Sequence, residues 1–288
     1  LSIDSGIQNI FKQLLLEQII KFQASAGAGI IMNANNGKIK SIISLPDYDN
    51  NINNNLSEKQ VFNNATKGLY ELGSTLKIFT AAMAIENGKD NQLIDVSSPI
   101  FVSKSQKISD IKKINFPINL PEIIVHSSNI GSAKIAEKFG PSIQLKYLKS
   151  LGLMNILPLE IPELGKPQVL TDKKVLTTMT ISYGHGISIT PMHLTSATAT
   201  IVNNGIKVNP TLLLDKTLLE NVQIISSETS MKMKSIMRLV VSNKYGTAKK
   251  AEVVGYSIGG KTGTAEKINP SGGYFKKKNI VAFTGAFP

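Results

Sequence analysis

Gly73-Ser74-Thr75-Leu76-Lys77, followed by the apolar run Ile78-Phe79-Thr80-Ala81-Ala82-Met83-Ala84-Ile85, decides how this chain is read. On a helix, residues three apart share a face, so Ser74 and Lys77 are predicted to touch. A serine hydroxyl becomes an effective nucleophile when a neighbour takes its proton, and a neutral lysine amine can do so. The apolar helix behind Lys77 disfavours its charge and lowers its pKa. Ser-x-x-Lys is a short pattern, and the chain holds a second copy, Ser109-Asp110-Ile111-Lys112. That copy lies in a polar stretch with no apolar helix after it. Context favours the first copy, and later motifs must decide.

The chain has 288 residues, enough for one large domain or two lobes, and its 42% hydrophobic and 18% charged residues fit a globular protein. The absence of cysteine excludes thiolate chemistry and disulfides. A net charge of +12 invites a nucleic-acid reading, but the lysines are scattered and not interleaved with aromatics. An anionic envelope surface, or simple enrichment in Lys, Asn and Ile, remains. No transmembrane or signal segment is evident. In residues 7–22, Lys12, Glu17 and Lys21 interrupt apolar residues at helical spacing (Ile7, Ile10, Phe11, Leu14, Leu15, Ile19 and Phe22). This predicts an amphipathic helix packed on a core. The histidines His126, His185 and His193 lack zinc-site spacing, so no metal or other cofactor is expected.

Two β-rich runs around Asn36-Gly37 predict a hairpin over residues 27–44. Helices are predicted behind Ser74 up to Gly88, at 120–125, at 132–139 until Gly140-Pro141, and at 142–150, 191–202 and 227–241. In the last, Met231, Met237, Leu239 and Val240 are the expected core residues. Strands are predicted at 253–265 and 279–287. The result is an α+β fold: an antiparallel sheet flanked by helices, with a large helical subdomain inserted. One domain spans 1–288, with 24–50 and 253–288 in the sheet lobe and 57–250 in a mostly helical lobe.

Two further motifs follow in order. Ser127-Ser128-Asn129 is the only Ser-x-Asn in the chain; alone, it reads as a helix-capping loop. In Lys261-Thr262-Gly263-Thr264, strand alternation puts Thr262 and Thr264 on one face and Lys261 and Gly263 on the other. Gly263 leaves room for another element to approach. Ser-x-x-Lys, Ser-x-Asn and Lys-Thr-Gly in this order form the signature of penicillin-recognising serine enzymes. The chain resembles the class B penicillin-binding proteins, particularly the cell-division peptidoglycan D,D-transpeptidases. The resemblance rests also on Ser44-Leu45-Pro46-Asp47-Tyr48-Asp49, on Ser127-Ser128-Asn129-Ile130-Gly131 and on the stretch from Tyr183-Gly184-His185-Gly186 to Thr190-Pro191. Leu72 stands where the family usually has proline, and Leu76 where it usually has phenylalanine.

The resemblance implies the fold shared by penicillin-binding transpeptidases and serine β-lactamases. It implies a further central strand and closing helix after residue 288, and an anchor and pedestal domain upstream, so the sheet is expected to be incomplete. It also implies an attack by Ser74 on a D-Ala-D-Ala stem peptide, with Lys77 as base. Ser127 would pass a proton to the leaving amine, Asn129 would hold the donor peptide, and Lys261 would supply positive field. Thr262 and Thr264 would take the terminal carboxylate beside Gly263, with the N–H groups of Ser74 and Thr264 holding the oxyanion. Expected partners are peptidoglycan stem peptides and β-lactams, and division or cell-wall synthesis proteins through the full-length protein. No nucleic acid is expected, and the membrane is met only through an anchor outside this sequence. The expected location is the periplasmic or external face of a bacterial plasma membrane.

Rival readings have less support. The stretch from Gly255 to Thr262 satisfies G-x-x-x-x-G-K-[ST], but Gly263, Pro270 and Gly272-Gly273 deny the helix a phosphate loop requires. Gly255-Tyr256-Ser257-Ile258-Gly259 matches the G-x-S-x-G elbow, yet no histidine follows it. A serine β-lactamase would need a deacylating glutamate. Glu160 and Glu163 occupy that part of the chain, but without Glu-x-x-Leu-Asn. A DD-carboxypeptidase differs only in accepting water, and a β-lactam sensor domain would acylate without turnover.

Overall fold

The computed structural model describes residues 1–49, 51, 55–103, 107–215, 222–269 and 271–288. Helix α1 (Ser5–Phe22) starts where the Asp4 carboxylate accepts the Ile7 N–H at 3.0 Å and stops at Gln23, in the left-handed region. It leads into strands β1 (Gly27–Met32) and β2 (Ile39–Leu45), the hairpin signalled by Asn36-Gly37. Gly27 pairs with Leu45 and Ile31 with Ser41, and the register shifts between Ile31 and Met32. On β2, Ile39, Ser41, Ile43 and Leu45 alternate inward, the pattern of a half-buried strand.

The seat of α1 differs from expectation. Ile7, Ile10, Leu14 and Phe22 are exposed, and no residue of the helix is fully buried. A two-stranded ribbon is a narrow floor, and one row of side chains at i, i+4 and i+8 fills it: Phe11, Leu15 and Ile19. Gly27 and Gly29 make the space. A Cβ on Gly29 would lie 2.7 Å from the Phe11 ring, and one on Gly27 2.8 Å from Ile19 Cδ1.

After α2 (Glu58–Val61), a 3₁₀ turn over Gly73–Leu76 runs into α3 (Lys77–Glu86). From Lys77 to Ile85 every α3 residue is buried, as fits a helix apolar on all sides. Short strands β3 (Ile100–Phe101) and β4 (Lys107–Ile108) precede α4 (Leu120–His126) and α5 (Asn129–Ser150). Asn119 and Glu122 form a capping box at the head of α4. The expected break at Gly140-Pro141 is a kink inside α5, with Gly140 at φ 72°. Strand β5 (Gln168–Val169), α6 (Val175–Ile181) and β6 (Ile187–Ser188) lead to α7 (Pro191–Val202), whose bounds are as predicted and whose N-cap is Thr190.

Helix α8 (Ser227–Ser242) also falls where expected, but its core face needs correction. Met231 and Leu239 are exposed, while Met233, Ile236, Met237, Val240 and Val241 form the buried i, i+3, i+4, i+7, i+8 stripe. Strand β7 (Gly259–Ile268) starts later than predicted, because Gly255 takes φ 88° in a turn; β8 (Tyr274–Ala286) starts earlier. The two hairpins carry no ladder bond to each other among the described residues. The expected antiparallel sheet is therefore two ribbons, both packed on α7. A buried hydrogen bond of 2.8 Å between the Thr198 and Thr284 hydroxyls fixes α7 to β8.

Gly29→Val should lower stability by about 1–3 kcal/mol in urea unfolding, because a branched side chain evicts Phe11 from β1. Strand propensity alone would make the same change stabilising, so a raised midpoint would contradict this packing.

Candidate active site

The nucleophile turn is built on a backbone that only glycine fits. Gly73 has φ 54°, and a Cβ there would lie 2.5 Å from the Thr264 carbonyl oxygen on β7. The turn is 3₁₀ rather than the expected α-helix, which brings residues i and i+3 into eclipse. Ser74 Oγ therefore sits 3.0 Å from Lys77 Nζ, the pairing the sequence predicts.

The second motif enters from the end of α4. Ser127 is its C-cap in the left-handed region, at φ 61°, uncommon for a non-glycine residue. This conformation turns both of its oxygens on the lysine: Lys77 Nζ lies 2.5 Å from the Ser127 carbonyl oxygen and 3.1 Å from its Oγ. Asn129 opens α5 and accepts from Lys77 Nζ through Oδ1 at 2.7 Å. From β7, Lys261 Nζ reaches the same Ser127 Oγ at 2.9 Å and donates to the Thr262 carbonyl at 3.0 Å. Ser127 thus bridges the two lysines.

Strand alternation places the rest as expected. Lys261 and Gly263 face inward, and a Cβ on Gly263 would meet the Leu72 carbonyl oxygen at 2.2 Å. That close approach seats β7 against the nucleophile turn. Thr264 is exposed, and Thr262 donates its hydroxyl to Thr247 at 2.8 Å. All eight expected site residues lie in this one region.

Both lysine side chains are inaccessible to solvent. Burial, aided by the nearby Lys261 charge and opposed by Asp110, holds Lys77 well below the usual ammonium range. Burial pulls Lys261 down to about 7. The partner set around Lys77 suits a neutral amine. The Ser127 carbonyl and Asn129 Oδ1 only accept, so they take both amine hydrogens. The one lone pair is left to accept from a hydroxyl, Ser74 at 3.0 Å or Ser127 at 3.1 Å, the arrangement of a base.

The second Ser-x-x-Lys copy contributes here as well, in a role the sequence did not disclose. Asp110 Oδ1 accepts the backbone N–H of Asn129 at 2.5 Å and of Ile130 at 3.0 Å, and Oδ2 accepts the Ser128 hydroxyl at 2.6 Å. The Ser109 carbonyl accepts Asn129 Nδ2 at 3.0 Å, fixing which end of that amide faces Lys77. An aspartate at a helix N-terminus is favourable in itself, but a separation of 18 or more residues hides the pairing from sequence patterns.

The rival motifs do not assemble. Gly260, Lys261 and Thr262 lie within a strand, with no helix after them among the described residues. The Glu160 carboxylate is engaged by the Thr211 hydroxyl at 2.7 Å and the Leu212 N–H at 2.8 Å. The Glu163 carbonyl accepts the Thr66 hydroxyl at 2.6 Å. His193 is buried between Thr190 and Asn155, His126 stacks on Tyr245, and His185 lies against Glu71. No group of three or more metal-binding side chains occurs among the described residues.

The family model for the penicillin-binding protein transpeptidase domain matches residues 27–288. The chain belongs to this family. It is 34% identical over its whole length to a probable peptidoglycan D,D-transpeptidase FtsI of Caulobacter vibrioides, covering 50% of that protein. Over 99% of its length it is 30% identical to the FtsI of Buchnera aphidicola, again covering 50%. It spans about half the length of these curated relatives. The transpeptidase domain of Burkholderia pseudomallei penicillin-binding protein 3 superposes with a TM-score of 0.87 at 28% identity, over 99% of this chain and 82% of that one. Penicillin-binding protein 3 of Mycobacterium tuberculosis, solved with aztreonam, shares the fold with a TM-score of 0.90 at 23% identity, over 98% and 68%.

Asp110→Asn keeps the shape of the α5 cap and removes its charge. It should lower stability by about 1–3 kcal/mol in denaturant unfolding, since three hydrogen bonds lose their anionic acceptor. An unchanged midpoint would show that the carboxylate does not hold the Asn129 motif in place.

Proposed function

We propose that this chain is the catalytic segment of a peptidoglycan D,D-transpeptidase that crosslinks stem peptides through a Ser74 acyl-enzyme in septal cell-wall synthesis. The observation that carries the reading is the Ser74–Lys77–Ser127–Lys261 hydrogen-bonded chain around a buried amine. Ser74 Oγ attacks the carbonyl carbon between the last two D-alanines while its proton passes to the Lys77 lone pair. The N–H groups of Ser74 and Thr264 hold the resulting oxyanion; one such donor is typically worth about 3 kcal/mol. Collapse breaks the C–N bond, and the leaving amine takes a proton through Ser127 Oγ, which the Lys77 ammonium replenishes. An acceptor amine from a neighbouring strand then attacks the acyl ester, its surplus proton returns by the same route, and Ser74 is regenerated as the alcohol.

Binding roles follow from the strand. Asn129 Nδ2 faces the Ser109 carbonyl and its Oδ1 faces Lys77, so Asn129 both orients the base and lines the donor side. The Thr262 and Thr264 hydroxyls and the Lys261 charge receive the terminal carboxylate. An open cleft of about 530 Å³ lies beside Thr262, lined by residues 246–251 and Phe283. A β-lactam would acylate Ser74 as a mimic of D-Ala-D-Ala. The Glu160 carboxylate is taken up by the Thr211 hydroxyl and the Leu212 N–H, which argues against its use as the deacylating base of a β-lactamase. The relatives named FtsI suggest a place in the cell envelope, with division and wall-synthesis proteins as partners of the full-length protein. No helix among the described residues is long and apolar enough to cross a membrane.

Intact-mass spectrometry after exposure to a penicillin should show one stable adduct, mapped to Ser74 and absent from Ser74→Ala. Lys77→Met should slow its formation by about 10²–10⁴-fold, the usual worth of a general base. Rapid loss of the adduct with hydrolysed drug would indicate a β-lactamase instead. A folded chain that forms no adduct would defeat the reading.

A further inference from the structure

Glu71 lies three residues before Ser74 and is only 5% exposed, yet nothing in the chemistry above uses it. Its carboxylate is fully engaged. Oε1 accepts the Gly186 N–H at 2.7 Å, and Oε2 accepts the Tyr274 hydroxyl at 2.9 Å with His185 Nδ1 at 3.3 Å. Burial pushes its pKa up, but the hydrogen bonds from His185, Gly186 and Tyr274 outweigh this and hold it below the usual carboxylate range. The titratable groups facing it are His185 and Tyr183 from the 183–186 turn and Tyr274 from β8, with Glu266 acting on Tyr274. Burial and the Glu71 charge push Tyr183 up to about 12 and raise Tyr274 as well.

The three donors come from two segments that frame the nucleophile turn. Gly184, at φ 94°, packs against the Gly73 carbonyl so closely that a Cβ would lie 2.1 Å away. Tyr70 and Ile189 exchange backbone hydrogen bonds of 2.9 and 3.0 Å beside it. Tyr274 begins β8 and pairs with Ile268 on β7, the strand that carries Lys261 to Thr264. At its middle β7 is seated by Gly263 against Leu72. One buried carboxylate thus ties the segment before Ser74 to the far end of the ribbon that presents Thr264.

We propose that Glu71 is a positioning residue that sets the separation between the Ser74 turn and the Thr264 backbone, with Tyr274 as its tether on the ribbon. The proposal rests on the transpeptidase reading and adds to it the element that aligns the two oxyanion donors. These N–H groups come from separate segments about 190 residues apart in sequence, so their spacing depends on a link between segments rather than on either one alone. Ligand docking at Thr262 lies beyond the tether, so its loss should act on the chemical step.

The test separates the non-covalent constant K from the first-order acylation constant k2 for a chromogenic penicillin. Tyr274→Phe keeps the ring against His185 and removes one hydroxyl. It should lower k2 by about tenfold while K changes by less than about twofold. Glu71→Gln should give the same split. Hydrogen-exchange mass spectrometry supplies a readout independent of acylation: amides of 261–268 should exchange faster in Tyr274→Phe than in the parent chain. Unchanged k2 with unchanged exchange in β7 would overturn the proposal, as would a loss confined to K. A parent chain that forms no adduct counts against the transpeptidase reading, and the exchange comparison still decides the tether.

Discussion

Desolvation of the Lys77 amine is the constraint on which the rest of the site depends. A lone ammonium inside an apolar helix is costly, whereas a neutral amine with matched acceptors is not. Helix α3 supplies the apolar surround, and the Ser127 carbonyl and Asn129 Oδ1 supply the acceptors. Lys261 adds a second amine across Ser127 Oγ, so protonating both lysines at once is disfavoured. Burial and mutual repulsion thereby favour a neutral amine at Lys77.

The backbone must bring three distant segments within hydrogen-bonding range to meet this constraint. Gly73 and Gly263 allow β7 and the nucleophile turn to touch, main chain to main chain. The left-handed Ser127 aims two oxygens at one amine, and Asp110 pins the adjoining helix start from outside. The helical block provides Lys77 and its acceptors. The β7–β8 ribbon provides the second lysine and the exposed threonines. The reacting groups therefore sit on a seam between helices and ribbon, where small shifts of either side alter the alignment.

Much of this was legible in the sequence. Short motifs on periodic elements carry their own geometry: Ser74 and Lys77 share a face, and β7 alternation separates Lys261 from Thr262. Helix α7 was readable because Thr190, Pro191 and the apolar run agree. Misreadings arose where partners decide. Met231 and Leu239 are apolar but lie off the buried stripe of α8, and most of the apolar residues of α1 have no floor beneath them. Asp110 and Glu71 act across 18 and 115 residues, through contacts to a serine hydroxyl and a backbone amide, and no local pattern announces such pairs.

Protonation of Lys77 is the quantity the account stands on. Heteronuclear NMR titration of the lysine side-chain signals, with Lys77→Met to assign the resonance, measures it directly. The account predicts that Lys77 titrates well below the ordinary lysine range and is neutral at the pH where Ser74 reacts. A Lys77 signal that titrates with the exposed lysines, near the ordinary value of about 10.4, would contradict it.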